Sequence, residues 1–230
     1  MGEVTGTVMK DERKILFFSC VNDEGLYAQC VRHIRQLKVP EGFRVEIGHV
    51  QGASGMAQGY NMAMARSDAK YKVYLHQDAL IVNRDFLYDI IRLFTAHPEV
   101  GLLGVAGCET LPSNGVWWEG KRLLGKLIEC RTTYNILKFA DPTPPFSRVQ
   151  AVDGLIMATQ YDLPWREDLF SGFHFYDTSQ SLEFIKAGRQ VAVPAQADPW
   201  CLHLCGETYV NGDYMQFKEI FLQNYGVFCI

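Results

Sequence analysis

Up to about residue 110 the chain alternates short apolar runs with segments of helical periodicity, and that alternation restricts it to a layered α/β fold. Residues 14–20 (KILFFSC) have the continuous apolar character of a strand buried on both faces. Asn22 and Asp23 follow as capping residues, and Glu24 stands where a helix dipole favours negative charge. Leu26, Cys30, Ile34 and Leu37 then recur at helical spacing until Pro40. Phe43, Val45 and Ile47 alternate as a second strand, and Gly52 to Gly55 break the chain before a short helix with Met56, Tyr60, Ala63 and Met64. Residues 71–75 form a third strand, Asn83 caps an amphipathic helix through Phe86, Leu87, Ile90, Ile91 and Phe94, and residues 100–105 form a fourth strand. This βαβαβαβ order, with right-handed crossovers, predicts a three-layer α/β/α fold with a mostly parallel central sheet.

The second half is less regular. Residues 111–148 carry Trp117, Trp118 and a DPTPP stretch, and predict a long loop or hairpin excursion of the kind that forms lids and binding loops. A strand is expected over 149–159, a helix over 179–187, one or two strands over 190–204 and a terminal helix over 213–225.

With 230 residues and 48% apolar side chains the chain can bury one sizeable core, and it is read as a single domain over 1–230. Its 22 basic and 26 acidic residues give a net charge of −4, which argues against the basic stripe of a nucleic-acid partner. The N-terminal MGEVTGTVMKDERK lacks a signal peptide's apolar run, and nothing approaches the roughly 20 apolar residues of a membrane span. Gly6 stands where a myristoylation motif beginning at Gly2 wants Ser or Thr, so a cytoplasmic, soluble chain is expected. Seven cysteines without a Cys-x-x-Cys pair fit reduced thiols. Cys201, His203 and Cys205 alternate as zinc ligands on a strand would, but no fourth ligand accompanies them.

In open α/β sheets ligands bind beyond the carboxyl ends of the strands. Ser19 and Asn22 follow the first apolar run, His76, Gln77 and Asp78 the third, and His203 lies near the last. On an extended segment His76 and Asp78 share a side, and a carboxylate with imidazole suits Mn²⁺ or Mg²⁺ bound to a diphosphate.

Residues 54–86 (SGMAQGYNMAMARSDAKYKVYLHQDALIVNRDF) resemble the GT-A glycosyltransferases, in particular the large family-2-like group of bacterial enzymes. There a strand ends in an Asp-x-Asp motif, of which HQD is a histidine variant. VDGLIMAT from Val152 resembles that family's Asp-Gly strand near the donor sugar, FHFYDTSQSLEFIKAGRQVAVP its acceptor-side stretch, and LHLCG from Leu202 its late histidine. The motifs occur in the same order over roughly residues 14–206. The resemblance implies a GT-A fold and transfer of a sugar, with inversion, from a nucleotide-sugar donor to a saccharide or other hydroxyl acceptor. It implies a donor half over about 14–110 and an acceptor half over about 111–230.

On this basis His76, Asp78 and His203 are the metal set and Asp177 the candidate base. Ser19, Asn22, Asn61, Gln77, Asp153 and Gly154 are donor-side candidates, and Trp117, Trp118 and His174 acceptor-side candidates. Several have a plainer alternative, beginning with Asp78 as a turn cap and His76 as a satisfied strand-end histidine. Asp177 can cap the helix that follows it, Asn61 can cap a turn, Asp153-Gly154 can form a bend, and Trp117, Trp118 and His174 can simply pack. Thr178 and Ser179 stand where a further carboxylate is frequent, which leaves open a non-catalytic nucleotide- or carbohydrate-binding module. A nucleotidyltransferase would want a Gly-rich basic loop after the first strand, where this chain has the acidic SCVNDEG.

Overall fold

The computed structural model describes residues 9–205 and 212–230, so the segment containing Gly2 and Gly6, and Gly206 of the LHLCG motif, lie outside the described residues. In chain order the first half comprises β1 (Asp11–Val21), α1 (Glu24–Ile34), β2 (Arg44–Gln51), α2 (Met56–Arg66), β3 (Ala69–Leu75), β4 (Ala79–Ile81), α3 (Phe86–Ala96), β5 (Val100–Gly104) and β6 (Ala106–Cys108). A short 3-10 turn (Trp117–Glu119) leads to β7 (Leu123–Cys130), β8 (Tyr134–Lys138), β9 (Phe146–Arg148), β10 (Ala151–Val152) and β11 (Ile156–Thr159). Then come α4 (Tyr176–Lys186), β12 (Gln190–Pro194), β13 (Cys201–His203) and α5 (Gly212–Tyr225).

The central sheet has the order β2-β1-β3-β11-β5-β12-β9. β1 is parallel to β2 and β3, and β12 to β5, but β11 is antiparallel to both β3 and β5, and β9 to β12. The sheet is therefore mixed, which corrects the mostly parallel sheet expected from the alternation. The cause is local. β11 follows β10 through a tight turn at Asp153-Gly154, with no crossover helix between them, so it fills the gap between β3 and β5 running backwards. The strand expected over 149–159 is broken at the same turn.

A second sheet has the order β10-β6-β7-β13-β4, with β8 also paired to β7. The excursion over 111–148 supplies its β7–β8 hairpin.

Side chains alternate across β1. Ile15 and Phe17 join one buried cluster with Ile34, Phe86, Ile90 and Phe94, so α1 and α3 cover that face. Leu16 and Phe18 join another with Met56, Tyr60, Tyr176 and Phe184, so α2 and α4 cover the opposite face. The three layers follow from this two-sided burial. As expected, Asp23 caps α1, its carboxylate accepting from the Leu26 N–H at 2.9 Å.

Candidate active site at the edge of the central sheet

β3 ends at Leu75, and HQD lies just beyond its carboxyl end. The three residues form a turn and not the extended segment expected, because the Ala79 N–H returns to the His76 carbonyl at 3.2 Å. The side chains of His76 and Asp78 converge all the same. His203 arrives by pairing: β13 lies antiparallel to β4 with His203 opposite Ala79, and the Leu204 N–H donates to the Asp78 carbonyl at 3.0 Å.

His76 Nδ1 lies 4.0 Å from Asp78 Oδ1, and His203 Nε2 lies 3.5 Å from Asp78 Oδ2. One ligand atom from each of the three residues lies within 4.8 Å of the others, spacing suited to a shared cation. Asp78 Oδ1 is buried without a hydrogen-bond partner, a costly state that a cation would relieve. Imidazole, carboxylate and imidazole suit Mn²⁺, and with a diphosphate also Mg²⁺, so the residues present fit the ion that the sequence implies. Burial lowers the His76 pKa, while for His203 burial is outweighed by the Asp78 hydrogen bond and charge, which raise it. Burial alone would raise the Asp78 pKa, but the two imidazoles hold it below the usual carboxylate value. Cys205 Sγ lies 3.2 Å from His203 Nδ1, and Cys201 is buried in the core, so His203 joins His76 and Asp78 instead of a cysteine zinc site.

Asp153 and Gly154 form the bend between β10 and β11, where the Leu155 N–H donates to Asp153 Oδ1 at 2.7 Å. A Cβ at Gly154 would stand 2.1 Å from Tyr176 Oη, so only glycine lets the helix start approach this closely. Asp177 does not cap α4. The helix begins at Tyr176 after Phe175, which adopts the left-handed region (φ 58°), and Asp177 sits in the first turn. Its carboxylate accepts from the Thr178 N–H at 2.8 Å and across to the Gly154 N–H at 3.0 Å. Burial, reinforced by the charge of Asp153, raises the Asp177 pKa to about 7.

A cleft beside this cluster is walled by Cys20, Val21, Asn22, Gly52, Ala53, Met56, the HQD turn and Phe173. Ser19 lies within β1, 1% exposed, its hydroxyl buried without a partner, and the neighbouring Cys20 to Asn22 face the cleft instead. Gln77 holds the cleft's rim together. Its Oε1 accepts from the Asn22 and Asp23 N–H groups at 2.9 Å each, and its Nε2 donates to Asn22 Oδ1. Asn61 binds the backbone of Trp165 in both directions, at 3.0 and 2.9 Å, which makes it a loop clamp. Trp117 is buried in the core, whereas Trp118 is 47% exposed and packs near Tyr214, whose ring is also 5.3 Å from His174.

The sequence pattern missed Tyr176 and Phe173. Tyr176 Oη lies 2.5 Å from His76 Nε2, and Phe173 is 53% exposed at the cleft. Both belong to the FHFYD stretch, whose density of aromatics before a helix start was the available signal.

Residues 16–225 match the glycosyltransferase-like family. The chain belongs to that family. No curated protein matches this glycosyltransferase-like chain. Among solved structures, TarS 1–349 of S. aureus superposes with a TM-score of 0.56 at 8% identity, over 83% of this chain and 60% of that one. TarS 1–349 in complex with UDP-GlcNAc gives 0.51 at 11% identity, over 86% of this chain and 60% of that one. The mannosyltransferase PcManGT from Pyrobaculum calidifontis, in complex with GDP-Man and Mn²⁺, gives 0.54 at 13% identity, over 97% of this chain and 73% of that one. These likenesses establish the α/β GT-A fold of this glycosyltransferase-like chain, which spans about 60% of the TarS 1–349 length. Among its described residues no helix is long and apolar enough to cross a membrane.

Proposed function

We propose that the chain transfers a sugar from a nucleoside-diphosphate donor to an acceptor hydroxyl, with inversion, using a divalent cation (Mn²⁺ or Mg²⁺) held by His76, Asp78 and His203. The observation that carries this is the convergence of those three side chains just beyond β3, around a buried Asp78 oxygen that no group among the described residues satisfies. The nucleotide sugars bound by TarS 1–349 and PcManGT support the donor class. When bound, the cation neutralises the negative charge that grows on the leaving diphosphate.

The protein side chains supply the rest. The cleft between residues 20–22, residues 52–56 and Phe173 receives the donor, and the Gln77 clamp keeps its rim in place. Asp177 takes the acceptor proton. A pKa near 7 leaves its carboxylate basic enough to accept a proton and largely ionised just above neutrality. The Gly154 and Thr178 N–H groups fix that carboxylate in place. Trp118, Tyr214 and His174 form an aromatic flank suited to an acceptor sugar ring.

The test uses the purified chain with a panel of UDP- and GDP-sugars and Mn²⁺, scoring donor binding, donor hydrolysis and transfer to saccharide acceptors. Mn²⁺-dependent donor turnover that Asp78→Asn abolishes is the expected result. Donor binding without turnover under every condition would leave a binding module. No donor binding with or without Mn²⁺ would overturn the proposal.

A further inference from the structure

We infer that Tyr176 is a positioning residue for the cation site: its phenol holds His76 in the Nε2–H form and so aims a bare Nδ1 at the ion. This rests on the metal-dependent transfer proposed above. The two ring nitrogens of His76 face different neighbours. Nε2 lies 2.5 Å from Tyr176 Oη, a hydrogen-bond distance, whereas Nδ1 lies 4.0 Å from Asp78 Oδ1. The second separation is too long for a direct hydrogen bond and suits two groups that share an ion.

A neutral imidazole carries one N–H, and whichever nitrogen holds it cannot ligate. With the proton on Nε2 donated to the phenol, the Nδ1 lone pair faces the buried, unpartnered Asp78 oxygen. Outer partners of this kind fix the orientation and tautomer of ligating histidines.

The phenol is itself held firmly. Tyr176 is 4% exposed, its ring 6.0 Å from Tyr60 and 6.2 Å from Trp165, and Gly154 backs its hydroxyl with no side chain between. It is also the first residue of α4, and the next residue, Asp177, accepts from the Gly154 N–H. One helix start therefore delivers a phenol to the cation site and a carboxylate to the Asp153-Gly154 turn.

The test uses the whole chain, metal-free, at pH 8. Long-range proton–nitrogen NMR of the histidine rings reads the tautomer, and calorimetric titration with MnCl₂ reads affinity. Wild type is expected to show His76 as the Nε2–H form. Tyr176→Phe keeps the ring and is expected to give mixed tautomers and a 10- to 100-fold weaker Mn²⁺ affinity, with the metal-free melting temperature retained. An Nδ1–H form in the wild type overturns the inference without recourse to any variant, and so does an unchanged Mn²⁺ affinity in Tyr176→Phe. A wild type that binds no Mn²⁺ overturns the cation-dependent transfer and this inference together. A wild type whose Mn²⁺ binding depends on Asp78 but not on Tyr176 overturns this inference alone.

Discussion

Asp177→Asn should make the protein more stable and far less active, and the stability gain should depend on pH. Folding raises the Asp177 pKa from 3.8 to about 7. Between about pH 4 and 7 the native state thus keeps a proton that the unfolded chain has released. Stability falls as pH rises through that window, and the full cost is present above it. A tenfold change in proton affinity is about 1.4 kcal/mol, so carrying this carboxylate ionised costs the fold about 4 kcal/mol at pH 8. Asparagine removes that cost. It offers one acceptor oxygen where the carboxylate offered two, so either the Thr178 or the Gly154 N–H loses its partner, at about 1–2 kcal/mol. The net gain is about 2–3 kcal/mol, or about 5–10 °C in melting temperature for a chain of this size. Thermal denaturation in EDTA at pH 4.5 and pH 8 measures it, and at pH 4.5, where the wild-type carboxyl is largely protonated, the gain should vanish or reverse. Transfer should fall about 10²–10⁴-fold with donor affinity unchanged, and wild-type kcat/KM should rise with pH through about 7 to a plateau. A melting-temperature difference that is the same at both pH values would refute the buried-carboxylate reasoning. Near-normal transfer by the variant would remove Asp177 from the chemistry and leave it as a support for the Gly154 turn.

Three further outcomes test the rest of the site. Asp78→Asn removes the charge that both imidazoles face, and should abolish Mn²⁺ binding by calorimetry while the metal-free chain still folds cooperatively. Gly154→Ala places a methyl 2.1 Å from Tyr176 Oη, and should cost about 1–3 kcal/mol in urea denaturation and weaken Mn²⁺ affinity as well. Trp118→Ala, at a half-exposed ring, should change stability by less than about 1 kcal/mol yet raise the acceptor KM without moving donor affinity; an unchanged KM would exclude it from the acceptor flank.

Much of the backbone of the first half was legible in the sequence because its signals are local. Apolar runs mark β1 and β3, Asp23 marks the start of α1, and the spacing of Phe86, Leu87, Ile90 and Phe94 marks α3. The candidate cation cluster was legible only as a set of residue types. His76 and Asp78 are two positions apart, and His203 stands in LHLCG, the stretch that resembles the family's late histidine. Asn61 and Gln77, two of the donor-side candidates, have polar side chains at plausible positions. Only the identity of their partners, Trp165 and the Asn22-Asp23 backbone, shows what they hold.

Local signals specified β1, α1, β2, α2, β3, α3 and β5, and the polar groups that end several of those strands, but not the short β4 and β6. Periodicity and capping act over a few residues and need no distant partner. Tertiary structure alone decided the direction of β11, because strand direction in a sheet depends on which neighbours leave a gap to fill. It alone set His203 beside Asp78, through the pairing of β13 with β4 across more than a hundred residues. It also gave Asp177 its raised pKa and Tyr176 its contact with His76, because desolvation and hydrogen-bond distance depend on the whole packed surroundings of a side chain.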